Sequence, residues 1–243
     1  MSKFELWILD FAESMQKDVS GLEKKIKIKF KNKDLLQAAV THRSYINEHR
    51  GYHLDHNERL EFLGDAVLEL VVTDYLYKNY PNPEGELTNW RAALVNKDML
   101  SSVSRALDID DYLQMSRGEA KDTGRARDYL LANAFEAIIG AIYLDRGYDP
   151  AKVFIAENIL SRLKEVIESK AYIDPKSNFQ EEAQSRVGIT PSYRVLSESG
   201  PDHDKRFVVG VYLGDEKVAE GEGNSKQQAQ REAAKAGLEA KGW

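Results

Sequence analysis

The 243-residue chain contains no cysteine, which excludes a disulfide framework and any metal site built on thiolates and makes a reducing cytoplasm the expected setting. It also lacks an apolar run of the roughly 18 residues a membrane span needs. The apolar patch in "MSKFELWILDFAESMQK" is broken by Glu5, Asp10 and Glu13, so neither a signal peptide nor a transmembrane helix is expected. Nor is there a strong balance of one charge. The formal net charge is −6, and a cut at Ile173 leaves 24 Lys+Arg against 28 Asp+Glu before it and 10 against 12 after it. Such totals do not advertise a nucleic-acid partner, although screened charge acts locally and clusters matter more than sums.

What is present suffices for a core. With 42% hydrophobic residues over this length, a two-domain globular chain is expected. Up to about residue 170 apolar residues recur at spacings of three and four, as in "ERLEFLGDAVLELVVTDYLY", "TNWRAALVNKDMLSSVSRAL", "YLLANAFEAIIGAIYLD" and "AKVFIAENILSRLKEVIES", which predicts helices separated by turns such as "YPNPEGE" and "DRGYDP". "KAYIDPKS" reads as a linker that ends in a helix start, with Asp174 as N-cap and Pro175 at the first helical position. The period then changes: a helix at "FQEEAQSRVG", three short strands at "PSYRVLSES", "KRFVVGVYLG" and "EKVAEGEG", and a helix at "SKQQAQREAAKAGLEAK".

The chemistry is concentrated in "HNERLEFLGDAVLELVV", residues 56 to 72. On a helical wheel, Glu58, Glu61, Asp65 and Glu69 fall within an arc of about 80°. Opposite them Leu60, Leu63, Val67, Leu70 and Val71, between about 120° and 220°, form the expected core face. Phe62, at about 40°, lies beside the acids and points away from that face, so it needs another partner, and a second protein chain is the economical one. "NAFEAIIGAIYLD" is apolar almost all round and is expected to be buried, yet it carries Glu136 and, three residues earlier, Asn133. Gly140 and the small Ala137 would admit a neighbouring backbone. A buried carboxylate costs several kcal/mol unless compensated. Inward acids on two helices make an oxygen-rich site suited to Mg²⁺ or Mn²⁺, the usual equipment for phosphodiester hydrolysis.

At these residues the sequence resembles the ribonuclease III family. "NERLEFLGDAVL" is similar to its catalytic motif, and "THRSY", "EGELTNWRAALV" and "AFEAIIGAIYLD" resemble its other blocks in the same order. "FQEEAQ" and "GNSKQQAQREAAK" resemble its double-stranded-RNA-binding domain. The resemblance implies an α+β multidomain chain, an all-α ribonuclease III catalytic domain followed by an α-β-β-β-α domain. Its divisions would be an N-terminal helical extension over 1–20, the catalytic domain over 21–150 with a closing helix to about 170, and the RNA-binding domain over 174–242. It further implies a homodimeric endoribonuclease that uses Mg²⁺, with Mn²⁺ able to substitute, no organic cofactor and no membrane partner. Double-stranded RNA would be cut to 5′-phosphate and 3′-hydroxyl ends with short 3′ overhangs, in processing of ribosomal-RNA precursors, mRNA and other structured RNA.

Carried over residue by residue, Glu61, Asn133 and Glu136 would be metal ligands, Asp65 and Glu136 catalytic, Glu58 and Glu84 supporting acids, and Phe62 a dimer contact. Gln180, Glu181, His203, Lys226 and Arg231 would touch RNA. Two departures stand out. The family usually has aspartate at the position of Asn133, and usually a second lysine where Gln227 follows Lys226. An amide oxygen still ligates a hard cation but removes a negative charge.

Rival readings are weaker. His42, His49, His53 and His56 lie close in sequence but match no zinc spacing, and His42 is expected to be a packed core residue. A di-iron bundle would need Glu-x-x-His on two helices, which the acidic helices lack. Glu69 is expected simply to face solvent. The alternative of a different class is a protein that binds double-stranded RNA without cutting it, weakened or inactivated at Asn133.

Overall fold

The computed structural model describes residues 18–121, 123–169, 172, 174–201 and 205–243, and the chain separates into two units, residues 1–169 and 170–243. The expected N-terminal extension lies almost wholly outside the described residues.

The first unit is helical: α1 (Ser20–Ile26), α2 (Lys33–Ala39), α3 (Arg43–Glu48), α4 (Glu58–Asn79), α5 (Glu84–Val95), α6 (Lys97–Ala106), α7 (Arg125–Arg146), α8 (Tyr148–Asn158) and α9 (Leu163–Ser169). No described helix is long and apolar enough to cross a membrane. The segment expected as one closing helix is broken by a 3-10 turn at Leu160–Arg162, which carries buried Leu163 and Val166 of α9 onto α5.

At the centre is α7, whose Leu131, Phe135, Ile138, Ile139 and Ile142 are fully buried. It packs most extensively against α4, and the crossing is set by two glycines. A Cβ on Gly64 would stand 1.7 Å from the Glu136 carbonyl oxygen, and one on Gly140 would stand 2.2 Å from that of Leu60. Only residues without side chains permit backbones this close. The crossing also rotates α4 away from the expected face. The buried residues are Leu60, Gly64, Val67, Leu68, Val71, Val72 and Leu76, whereas Leu70, expected in the core, is 58% exposed. Leu68 and Val72 lie on the acid side of the wheel and are covered because α7 approaches from there.

The start of α4 is fixed by a buried polar knot. Gln114 Oε1 accepts from Gln37 Nε2 at 2.9 Å, and Thr41 Oγ1 and Tyr52 Oη lie 3.0 and 3.2 Å from it. The backbone N–H of buried Asn57, one residue before α4, donates to the Thr41 carbonyl at 2.9 Å. His42 is a half-buried N-cap of α3, its Nδ1 accepting from Ser44 N, rather than a core residue; its polar ring is used where the helix has unpaired N–H groups.

The second unit has α10 (Pro175–Val187), β1 (Ser192–Ser199), β2 (Arg206–Leu213), β3 (Glu216–Gly223) and α11 (Lys226–Lys241), with an antiparallel sheet in the order β1-β2-β3. Asp174 caps α10 by accepting from Lys176 N and Ser177 N, with Pro175 at the first turn, and Ser225 caps α11. Phe179 and Ala183 of α10, Val209 and Val211 of β2, and Ala229, Ala233 and Ala234 of α11 form its core. The alanines let α11 lie close to the sheet.

A Gly64→Ala substitution should lower stability by about 3 kcal/mol, the upper range for overpacking. Gly85→Ala in α5, where a Cβ meets nothing within 4 Å, is the control. Thermal unfolding checks this, and equal effects of the two would contradict the crossing.

Candidate active site and RNA interface

The crossing brings Glu61 and Asp65 of α4 to Asn133 and Glu136 of α7. Burial raises the Glu61 carboxyl above the usual range, and the charges of Glu58 and Asp65 raise it further, while a hydrogen bond with the Asn133 side chain lowers it. Glu136 is pushed up to about 8, first by burial and then by Asp65 and Glu61. Both causes disfavour the charged form. Among the described residues no Lys or Arg acts on either group.

The donors are all oxygens, with no Lys or Arg among the described residues acting on the cluster, which fits a hard divalent ion. Among the described residues no group of three or more His, Cys, Asp and Glu is placed to hold a metal ion by itself. The set is instead two half-buried carboxylates, the exposed Asp65 and the Asn133 amide. An ionised Glu61 can only accept, so the Asn133 N–H donates and its amide oxygen is left for a cation.

The other expected residues lie around this centre or outside it. Glu58, at the first position of α4, is exposed, 3.8 Å from Arg43 Nη1 and 3.7 Å from His56 Nδ1. Glu84 is exposed at the start of α5, accepts from Thr88 Oγ1 at 3.0 Å, and its charge does not act on Glu61 or Glu136. Within one chain it is not part of the cluster. Glu69 does not simply face solvent: Arg91 Nε stands 3.4 Å from it. Phe62 is 81% exposed. Tyr77, at 80%, and Leu70 lie along the same side of α4, an apolar strip wider than Phe62 alone.

In the second unit Gln180 and Glu181 of α10 and Lys226 of α11 are exposed, and His203 lies outside the described residues. Arg231 stands 3.6 Å from Asp174, on a different side of α11 from Lys226. Lys176 escaped the sequence reading: its Nζ donates to Gln230 Oε1 at 2.8 Å and lies 5.0 Å from the Tyr193 ring centre. Lys176 is one turn before Gln180, and Gln230 one turn after Lys226, so this bond joins the two exposed helix faces. The i,i+4 spacings were legible; the contact between helices was not.

A burial-raised carboxylate makes the folded state less stable as pH rises. The folded value of Glu136 exceeds its unfolded one, so the protonated form stabilises the fold below about pH 4.5, and that contribution is lost as pH climbs through about 8. In EDTA, Glu136→Gln should therefore melt higher than the wild type at pH 8, with the gap closing toward pH 5. A constant gap across that range would contradict this assignment.

Comparison with known proteins agrees with the geometry. Residues 32–163 match the family model described as Ribonuclease-III-like, and residues 175–241 match the double-stranded RNA binding motif. The chain is 42% identical over 231 residues to Ribonuclease 3 of Borreliella afzelii, covering 95% of this chain and 94% of that one. It is 45% identical to Ribonuclease 3 of Latilactobacillus sakei, over 91% and 96% of the two chains. Among solved structures, the nuclease domain of ribonuclease III from Campylobacter jejuni matches with a TM-score of 0.53 at 39% identity, over 60% of this chain and 97% of that one. A second structure of that domain, at 40% identity, TM-score 0.52 and coverage of 59% and 99%, is described as showing flexibility in a region involved in dimer formation. The family models cover both units and the relatives nearly the whole length, so the chain belongs to the ribonuclease III family.

Proposed function

We propose that the acids of α4 and α7 are the hydrolytic centre of an endonuclease that cuts double-stranded RNA with Mg²⁺, Mn²⁺ being able to substitute, to 5′-phosphate and 3′-hydroxyl ends with short 3′ overhangs. The family assignment makes the chain a metal-dependent double-stranded-RNA endonuclease. The observation that carries the assignment of the centre is Glu136, a half-buried carboxyl pushed up to about 8 by burial, Asp65 and Glu61 with no cation among the described residues to offset them. Such a group favours a bound cation over solvent exposure of its repulsion.

Glu61, Glu136 and the Asn133 amide oxygen would hold the ion. Bound there, it supplies charge neutralisation at the phosphoryl oxygens and lowers the pKa of coordinated water. Asn133 also orients Glu61 through its N–H. Asp65, exposed at the edge of the cluster, faces the side from which an RNA strand can approach and serves with Glu136 as a catalytic group. Glu58, between Arg43 and His56, and Glu84 are supporting acids; because Glu84 stands apart in one chain, its contribution would come in the dimer. In the second unit Gln180, Glu181 and Lys226 would form the duplex-reading face, with Arg231, on another side of α11, and His203 as further RNA contacts, in a domain that senses A-form shape and 2′-hydroxyls. Precursor ribosomal RNA, mRNA and other structured RNA are the substrate class.

The partner protein is a second copy of the chain. Phe62, Leu70 and Tyr77 expose apolar surface on one side of α4. Phe62 borders a groove of about 700 Å³ whose lining is mostly apolar, with Leu35, Ala38, Leu54, Leu63 and Leu144, and also holds the charged Asp34, Asp55, Glu58 and Arg59. A two-fold interface pairs a patch with itself, and a protruding aromatic next to an apolar groove suits that.

The specific feature that favours a non-cleaving binder is Asn133. A long RNA duplex incubated with Mg²⁺, with Ca²⁺ and with EDTA decides between them: cleavage in Mg²⁺ alone is expected, whereas a duplex bound and uncut in Mg²⁺ would overturn the enzyme. Asn133→Asp should reduce the Mg²⁺ concentration needed for half-maximal cleavage by roughly tenfold, the scale of one added charge near the ion. An unchanged requirement would show that the position does not ligate. Phe62→Ala should weaken self-association by roughly tenfold or more in sedimentation, as loss of an aromatic anchor does; an unaltered dimer would remove Phe62 from the interface.

A further inference from the structure

We propose that Lys97, seated on the ring of Tyr129, binds a phosphate of the RNA backbone next to the hydrolytic acids. This rests on those acids being the cleavage centre. On α7, Tyr129, Asn133, Glu136 and Gly140 fall within an arc of about 60°, one continuous stripe. Tyr129 precedes Asn133 by four residues, about 6 Å along the helix axis. Where Asn133 and Glu136 are covered by α4, Tyr129 is 55% exposed, so it stands at the open end of the stripe.

The ammonium of Lys97 lies 3.8 Å from the centre of that ring, within the range of a cation–π contact. Its backbone is held at the start of α6, where the Asn96 side chain accepts from Met99 N at 2.9 Å. The Lys97 side chain is only 23% exposed, yet its one ion-pair partner among the described residues is the neighbouring Asp98, at 3.9 Å and 89% exposed. A pair that loose and wet is worth little. Lys97 is not among the charges acting on Glu61 or Glu136 either, so it is not the counter-ion of the acids.

The ammonium at the end of this largely covered side chain has three N–H donors and an aromatic face on one side. The remaining donors lack a strong anion, and burial makes one valuable. The anion that family membership brings to this stripe is the sugar-phosphate backbone. Acids alone would repel it, and a cation fixed on the ring of Tyr129, itself one turn from Asn133, gives the neighbouring phosphate a reason to settle there. The tyrosine ring acts as a platform that keeps the flexible lysine stem in one place, and Lys97 is thus a positioning residue for the strand being cut.

The test uses the full chain and a defined RNA duplex, with binding measured in Ca²⁺ over a range of salt and single-turnover cleavage measured in Mg²⁺. Lys97→Gln should lower the salt slope of binding by roughly one, the signature of one lost phosphate contact. It should slow cleavage about tenfold while leaving the melting temperature nearly unchanged. Lys97→Arg, which keeps both charge and ring stacking, should restore most of each. Tyr129→Phe should behave as the wild type, and Tyr129→Leu should resemble Lys97→Gln. An unchanged slope and rate in Lys97→Gln would overturn the proposal. So would equal loss in the Gln and Arg variants with the slope intact, since that marks a packing role. A wild-type chain that binds no duplex, or cuts none, would instead overturn the reading of the acids.

Discussion

The close crossing of α4 and α7 at Gly64 and Gly140 is the constraint on which the rest of the molecule depends. Had either glycine a side chain, its Cβ would collide with the backbone of the other helix. The helices would separate, and Glu61 and Asn133 would no longer share a hydrogen bond. The same approach buries Leu68 and Val72 on the acid side of α4 and leaves Leu70, Phe62 and Tyr77 in solvent. One packing decision therefore forms the acid cluster and leaves the apolar strip uncovered.

The electrostatic consequence is a cluster that opposes its own ionisation. Glu61 and Glu136 are both raised by burial and by acid neighbours, and no cation among the described residues acts on them. Arg43 stands by Glu58, Arg91 by Glu69, and Lys97 on Tyr129. Carboxylates without internal counter-ions are unfavourable for the free protein and favourable for metal capture, a compromise between stability and activity that functional sites commonly show. Asn133 moderates it: one fewer negative charge lessens repulsion, and its N–H steadies Glu61.

Local signals carried the sequence reading furthest. Asp174 and Pro175 at the start of α10 and Ser225 at the start of α11 need only their own next few residues to act as caps. The exposure of Phe62 followed from its angle on the wheel, and the arrangement of a helical unit and an α-β-β-β-α unit followed from the change of period. What failed required knowledge of a neighbour. Leu70 was placed in the core because a wheel shows which residues share a face but not where the next helix lies; Gly64, an empty position in a hydrophobicity pattern, was the signal that α7 comes from the other side. His42 looked apolar by company and turned out to be a cap. Glu84 belongs to the family pattern, yet nothing in one chain brings it to Glu61 or Glu136. The Lys97–Tyr129 contact joins two helices and had no trace in either one.

The most direct measurement of the central claim is calorimetric titration of the RNA-free chain with Mn²⁺ near pH 7, in buffers of different ionisation enthalpy. A carboxyl that is still protonated at that pH because of burial and its neighbours must give up its proton to become a ligand. The wild type should bind with release approaching one proton per ion, and Glu136→Gln should bind more weakly and release markedly fewer protons. Binding without proton release, or equal affinity in Glu136→Gln, would contradict the account.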